Sequence, residues 1–215
     1  MTKENLTSIN VIIDRSGSML GLATDTIGGF NGFVAEQKLI PGDVLFTLCT
    51  FSTNYDLVHD AVELASVPDL NPKTYAPGGG TALLDAMGRT IESVGAKLDA
   101  MPEEDRPSKV LFLIITDGQE NSSHLFTASQ VKGMVEHQKE KYNWEFVFMG
   151  ANIDSIAEGT ALGISSQNTL DYEATSVGTK NLYRSISDST SHYRGAPTAA
   201  GGFDFFGNTT PTVKK

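Results

Sequence analysis

Four short apolar runs punctuate the chain, at residues 9–13, 44–51, 110–115 and 146–149, and few charges interrupt them. Runs of this length predict strands buried on both faces, as in a parallel sheet. Residues 55–64, "YDLVHDAVEL", mix apolar and charged positions and follow "STN". That pattern predicts an edge strand reached through a tight hairpin, antiparallel to its neighbour. Between these runs the period changes. Leu84, Met87, Ile91, Val94 and Leu98 recur at spacings of three and four, which is one face of an amphipathic helix. A first helix over residues 24–38 presents Ile27, Phe30 and Val34, with Gly28, Gly29 and Gly32 among them. Glycine costs about 1 kcal/mol in a helix interior, so the glycines predict a close approach of this helix to the sheet. Further helical patterns cover 128–141, 155–162 and 176–193, and "MPEEDRPSK" reads as a polar loop broken by Pro102 and Pro107.

The alternation predicts one α/β domain over residues 1–194. Its sheet is doubly wound and mostly parallel, with one antiparallel edge strand and helices on both faces. No internal repeat and no second domain are evident. From residue 195 the chain reads "GAPTAAGGFDFFGNTTPTVKK", a Gly/Ala/Pro-rich C-terminal tail, 195–215, carrying Phe203, Phe205 and Phe206. Free tails rarely keep such residues in water. Two uses are predicted: folding back into a groove on the domain's own helices, or docking on a partner or a second copy, which would give an oligomer.

Composition narrows the function. The 215 residues are 40% hydrophobic and 20% charged, an ordinary globular balance. A net charge of -10 argues against a nucleic-acid partner. No segment is apolar and long enough to span a membrane, and the first ten residues lack the apolar core of a signal peptide. The single Cys49 sits inside "VLFTLCTF", which predicts a buried small hydrophobe in a reducing, cytoplasmic setting.

Candidate chemistry gathers at the ends of two strands. "DRSGSM" places Asp14, Ser16 and Ser18 at alternate positions directly after the first run, with Gly17 allowing a tight turn. "LIITDGQEN" places Thr116, Asp117 and Gly118 after the fourth strand, and "APGGGTALLDA" leads through three glycines to Thr81 at a helix start. In a doubly wound sheet ligands bind beyond the carboxyl ends of the strands, and the first and fourth strands are neighbours there. Asp14 and Asp117 should therefore lie close together, where two carboxylates raise each other's pKa. A divalent cation relieves that repulsion. Carboxylates and hydroxyls are the hard oxygen ligands suited to magnesium, and also to manganese or calcium.

"DRSGSM", "GGGTAL" and "TDG" together resemble the metal-ion-dependent adhesion site of von Willebrand factor type A domains. That motif is Asp-x-Ser-x-Ser, a Thr in a glycine-rich loop, and an Asp usually followed by Gly. All five positions match in order, over a resemblance that covers residues 5–193, in the compact form of bacterial and phage members. The resemblance implies a Rossmann-like fold and a magnesium ion held directly by Ser16, Ser18 and Thr81. Asp14 and Asp117 would act through waters or as second-layer partners. It further implies an open position for the Asp or Glu of a partner protein, and hence a non-enzymatic protein-binding module.

Plainer readings stand beside this one. Asp14, Ser16 and Ser18 are residues that stabilise turns through their own side chains. Thr81 is a good helix N-cap. Glu120 and Asn121 read as rim residues, and His124 as a solvated loop residue. The metal could staple loops without binding a partner, or serve a metal-dependent hydrolase. No general base is placed for the latter. A phosphate loop and a G-x-S-x-G elbow are both absent from the sequence. An aspartyl-phosphate enzyme would want an Asp where Ser16 stands, and "MGANID" matches a dinucleotide fingerprint poorly.

Overall fold

The computed structural model describes residues 2–197 and 202–207. Six strands and five helices alternate: β1 (Lys3–Asp14), α1 (Ala23–Lys38), β2 (Asp43–Phe51), β3 (Tyr55–Glu63), α2 (Leu83–Ala100), β4 (Pro107–Thr116), α3 (Ala128–Tyr142), β5 (Glu145–Gly150), α4 (Ser155–Ala161), β6 (Thr169–Asp171) and α5 (Ser176–Gly195). The strands form one sheet in the order β3-β2-β1-β4-β5-β6. All pairs are parallel except β2 with β3, the edge hairpin. The order reverses direction at β1, which lies between β2 and β4. That is the switch point where an open parallel sheet leaves a crevice at its carboxyl edge.

Strand period then divides the core in two. Ile9, Val11 and Ile13 pack on one face with Phe30, Phe33 and Val34 of α1 and Leu182, Tyr183 and Ile186 of α5. Ile12, Cys49 and Phe51 point to the other face, against Met87, Ile91 and Val94 of α2 and Val131 and Val135 of α3. Cys49 is fully buried there, and burial pushes its thiol pKa up to about 12. It acts as a small hydrophobe. Among the described residues no helix is long and apolar enough to cross a membrane.

The glycines of α1 serve a different contact from the one expected. A Cβ on Gly29 would lie 2.1 Å from Cδ2 of Tyr183, so the close approach is to α5 and not to the sheet. Gly28 and Gly32 face open space. The same helix pair is tied at its far end. Arg194 donates to the carbonyls of Gln37, Ile40 and Gly42, satisfying acceptors at the end of α1. Lys109 donates to the carbonyls of Tyr193 and Arg194 at the end of α5. The strand β6 was not expected from the sequence, because three residues are too few to show a period.

Within the stretch read as a tail, residues 202–207 pack on the domain. Phe205 is 2% exposed and joins Phe206 and Tyr193 in the core on the α1/α5 face. Phe203 meets the Tyr193 ring edge-on at 5.1 Å. Two buried side chains hold the backbone. Glu145 accepts from the N–H of Phe203 at 2.9 Å, and Asn168 accepts from the N–H of Phe205 at 3.0 Å. Asn168 in turn donates to Glu145 at 3.2 Å, so the two act as one clasp. The aromatic segment is thus folded back on its own chain. Residues 198–201 and 208–215 lie outside the described residues.

The burial of Phe205 fixes an expected outcome. Phe205→Ala lowers stability by about 3 kcal/mol through lost burial and the cavity left behind. A urea midpoint unchanged from the parent would show that the segment contributes no packing.

Candidate metal centre at the carboxyl edge of the sheet

β1 ends on Asp14, whose carboxylate is buried between β1 and β4. Both of its oxygens are engaged. Oδ1 accepts from the backbone N–H of Ser16 at 2.6 Å, and Oδ2 accepts from the Thr116 hydroxyl at 2.7 Å. The first bond folds the chain sharply back after the strand, as Asp side chains do in turns. Its carbonyl oxygen accepts from the buried Tyr75 hydroxyl at 2.6 Å. The turn then presents two serines side by side. Ser16 Oγ lies 3.0 Å from Ser18 Oγ, and Ser18 Oγ donates to Asp117 Oδ1 at 2.6 Å. Asp14 and Asp117 are therefore joined through the two serines by short polar contacts. Asp14, Ser16 and Asp117 are buried, while Ser18 is exposed at the lip.

The glycine-rich loop reaches the same place. Gly17 donates to the carbonyl of Gly79 at 3.0 Å, and Gly78 donates to the carbonyl of Arg15 at 2.8 Å. Gly79 has φ +84°, a left-handed conformation that glycine adopts without strain. These bonds seat Thr81 in the cluster. A Cβ on Gly118 would lie 3.7 Å from Ser18 Oγ and 3.9 Å from Thr81 Oγ1, so Gly118 runs close beside both hydroxyls. All five residues singled out from the sequence stand together: Asp14, Ser16, Ser18, Thr81 and Asp117.

Thr81 is not the cap of α2. The N-cap position is Ala82, which makes no side-chain capping bond. The free N–H groups of α2 are met from across the crevice instead. Glu120 accepts from Leu84 N at 2.9 Å, and Ser123 Oγ accepts from Asp85 N at 3.1 Å. Asp85 returns the contact by accepting from the N–H groups of His124, Leu125 and Phe126, each at 2.9 Å. Asn121 Oδ1 accepts from Thr81 N at 2.9 Å. Glu120 and Asn121, read from the sequence as rim residues, are thus the lock between the loop after β4 and the start of α2. Tyr75 was missed as a site residue, and for Thr116 and Asn121, already placed at this edge, the partners Asp14 and Thr81 were missed, since each contact is distant in sequence. His124 is exposed, in keeping with a loop residue.

Burial raises the pKa of Asp14 above its ordinary 3.8. Bonds from Thr116 and Ser16 oppose that rise, and the charge of Asp117 adds to it. Asp117 is likewise raised by burial, against the Ser18 bond. Among the described residues no group of three or more His, Cys, Asp or Glu converges. A cation here would therefore depend on hydroxyls as well as carboxylates.

Comparison with solved structures places the architecture. The domain superposes on a von Willebrand factor type A structure from Catenulispora acidiphila with a TM-score of 0.55 at 16% identity, over 88% of this chain and 43% of that one. The fold is that of a von Willebrand factor type A domain. Proximal thread matrix protein 1 from the mussel byssus aligns with a TM-score of 0.59 at 13% identity, over 92% of this chain and 49% of that one. Manganese-loaded TRAP protein of Plasmodium vivax aligns at 0.54 and 14% identity, over 80% and 70%. The chain spans less than half the length of the first two. In sequence, no protein family and no curated protein matches it. The likeness is carried by three-dimensional structure, and at these identities it concerns the fold alone.

The raised carboxylates give a pH dependence of definite sign. A folded pKa above the unfolded 3.8 means that the native state prefers the protonated acid. Stability is fullest below the unfolded value and is lost as pH rises through the folded one. In chelator, Asp117→Asn is therefore more stable than the parent at about pH 7, with the gap closing towards about pH 4. Thermal melts across that range check it, and a gap that widens on acidification refutes the assignment.

Proposed function

We propose that this domain is a protein-binding module that captures a carboxylate of a partner protein through a magnesium ion held at the carboxyl edge. The observation that carries the reading is the linkage of Asp14 to Asp117 through Ser16 and Ser18, with Thr81 beside it. The donor set fits a hard cation. A hydroxyl that gives its proton to a carboxylate, as Ser18 does, keeps lone pairs for a metal. The serine oxygens stand 3.0 Å apart. Adjacent oxygens around octahedral magnesium, at bond lengths of about 2.1 Å, are separated by about 3.0 Å. The manganese carried by the TRAP structure is a small octahedral ion of the same kind.

Ser16, Ser18 and Thr81 would hold the ion directly. Asp14 has both oxygens committed to Thr116 and Ser16, which suits a role behind bridging water. Asp117 would orient Ser18 and supply charge. The ion, when bound, supplies a Lewis-acidic position that an incoming Asp or Glu can complete. The oxygens bound directly would be neutral hydroxyls, with both carboxylates standing behind them, so the ion would keep Lewis acidity for an incoming third carboxylate. None of the five side chains is a placed general base, and binding rather than hydrolysis is the reading they favour. A cytoplasmic setting belongs to the same reading, resting on the lone buried Cys49.

Magnesium binds the native cage and not the open chain, so it stabilises the fold by mass action. At a hundredfold excess over its dissociation constant the gain is about 2.7 kcal/mol, and Asp117→Ala abolishes it. Identical calorimetric transitions in magnesium and in EDTA would overturn the metal site. Capture of a partner from lysate in magnesium, lost in EDTA and in Asp14→Ala, tests the module itself.

Thr81→Val separates ligand from scaffold. Because Thr81 does not cap α2, the metal-free melting temperature stays within a degree or two of the parent, consistent with a change of about 0.5 kcal/mol or less. Magnesium affinity falls about tenfold or more with the lost ligand. Unchanged magnesium affinity would remove Thr81 from the site.

A further inference from the structure

Seven large hydrophobic residues are exposed among the described residues. Four of them stand at the carboxyl edge of the sheet: Leu20 at 69%, Leu125 at 63%, Ile156 at 51% and Val177 at 66%. Leu20 comes two residues after Ser18. Leu125 lies in the loop that locks onto Asp85, next to the glycine-rich loop. Ile156 opens α4, and Asn152 just before it donates to the carbonyl of Asp117 at 3.3 Å. Val177 opens α5, where Ser176 donates to Asp25 of α1 at 2.8 Å, on the helix that follows the turn carrying Leu20. Scattered surface leucines need no explanation, but apolar residues gathered on one functional edge do.

Their polar neighbours are already occupied. Asp85, Glu120, Asp154 and Asp171 at this edge each accept from backbone N–H groups of the domain. They are committed to the domain's own loops. The chain as a whole carries a net charge of -10, which repels an acidic partner at long range. A ligand rich in carboxylates gains at the cation and loses against that field. A single carboxylate set among apolar side chains meets the cation, escapes most of the repulsion, and covers the exposed rim.

We infer that Leu20, Leu125, Ile156 and Val177 form the partner-selecting rim of the site, and that the partner offers one Asp or Glu flanked on both sides by large apolar residues. The inference rests on the cation reading above and specifies its ligand. Selectivity then divides between two contacts: the ion requires a carboxylate, and the rim requires its neighbours.

Two labelled peptides test it against the full chain in magnesium, by fluorescence anisotropy. Each carries one central glutamate, flanked by leucine and phenylalanine in one and by serine in the other. The apolar-flanked peptide binds about tenfold tighter or more, which is the worth of one well-buried leucine. Leu20→Ser and Leu125→Ser each remove about a threefold share of that preference, while magnesium uptake by titration calorimetry stays at the parental value. Magnesium uptake with no discrimination between the peptides, or discrimination that survives both substitutions, overturns the rim alone. Failure of the parent to take up magnesium overturns the cation reading and this inference together.

Discussion

A carboxylate buried at the end of a central strand must be surrounded by donors or neutralised, and Asp14 sets that requirement for the whole carboxyl edge. Its two oxygens draw in Ser16 N and the Thr116 hydroxyl, one from its own turn and one from the neighbouring strand. The first contact shapes the turn that brings the serines together. The second couples β1 to β4 beyond the last ladder bond. Asp117 follows Thr116 directly, so satisfying Asp14 also delivers the second carboxylate. Neither acid is fully compensated by the protein, as their raised pKa values show. That residual need is what the proposed cation would answer.

The crevice is held together for a related reason. Loops at this end are fastened to one another as well as to the sheet. Asp85 and Glu120 exchange backbone bonds between α2 and the loop after β4, and Asn121 pins Thr81. Such reciprocal capping satisfies helix-end donors that would otherwise need water, and it leaves the Thr81 hydroxyl out of the capping. The candidate site, built on loops, thereby gains the positional precision of a scaffold.

Much of this was legible in the sequence. Apolar runs are strong signals when strands are buried on both faces, so β1, β2, β4 and β5 were recognisable, and the mixed pattern of 55–64 marked the edge. The clustering of the five candidate residues was readable because short motifs at strand ends inherit their position from topology. What stayed hidden depends on distance along the chain. Nothing local tells that Gly29 faces Tyr183, that Glu120 caps α2 at Leu84, 36 residues earlier, or that Thr116 belongs to Asp14. The strand β6 is too short to carry a period. The fold-back of Phe205 and Phe206 was one of the two uses expected of the tail, but nothing local shows the clasp of Glu145 and Asn168 that holds it.

That clasp also determines the polarity of the molecule. Glu145 opens β5 and Asn168 immediately precedes β6, so both stand at the amino-terminal edge of the sheet. Asp14 and Asp117 stand at the opposite pole. A ligand seated at Asp14 and Asp117 would stand a strand's length from the Phe205 clasp, at the opposite pole of the same sheet.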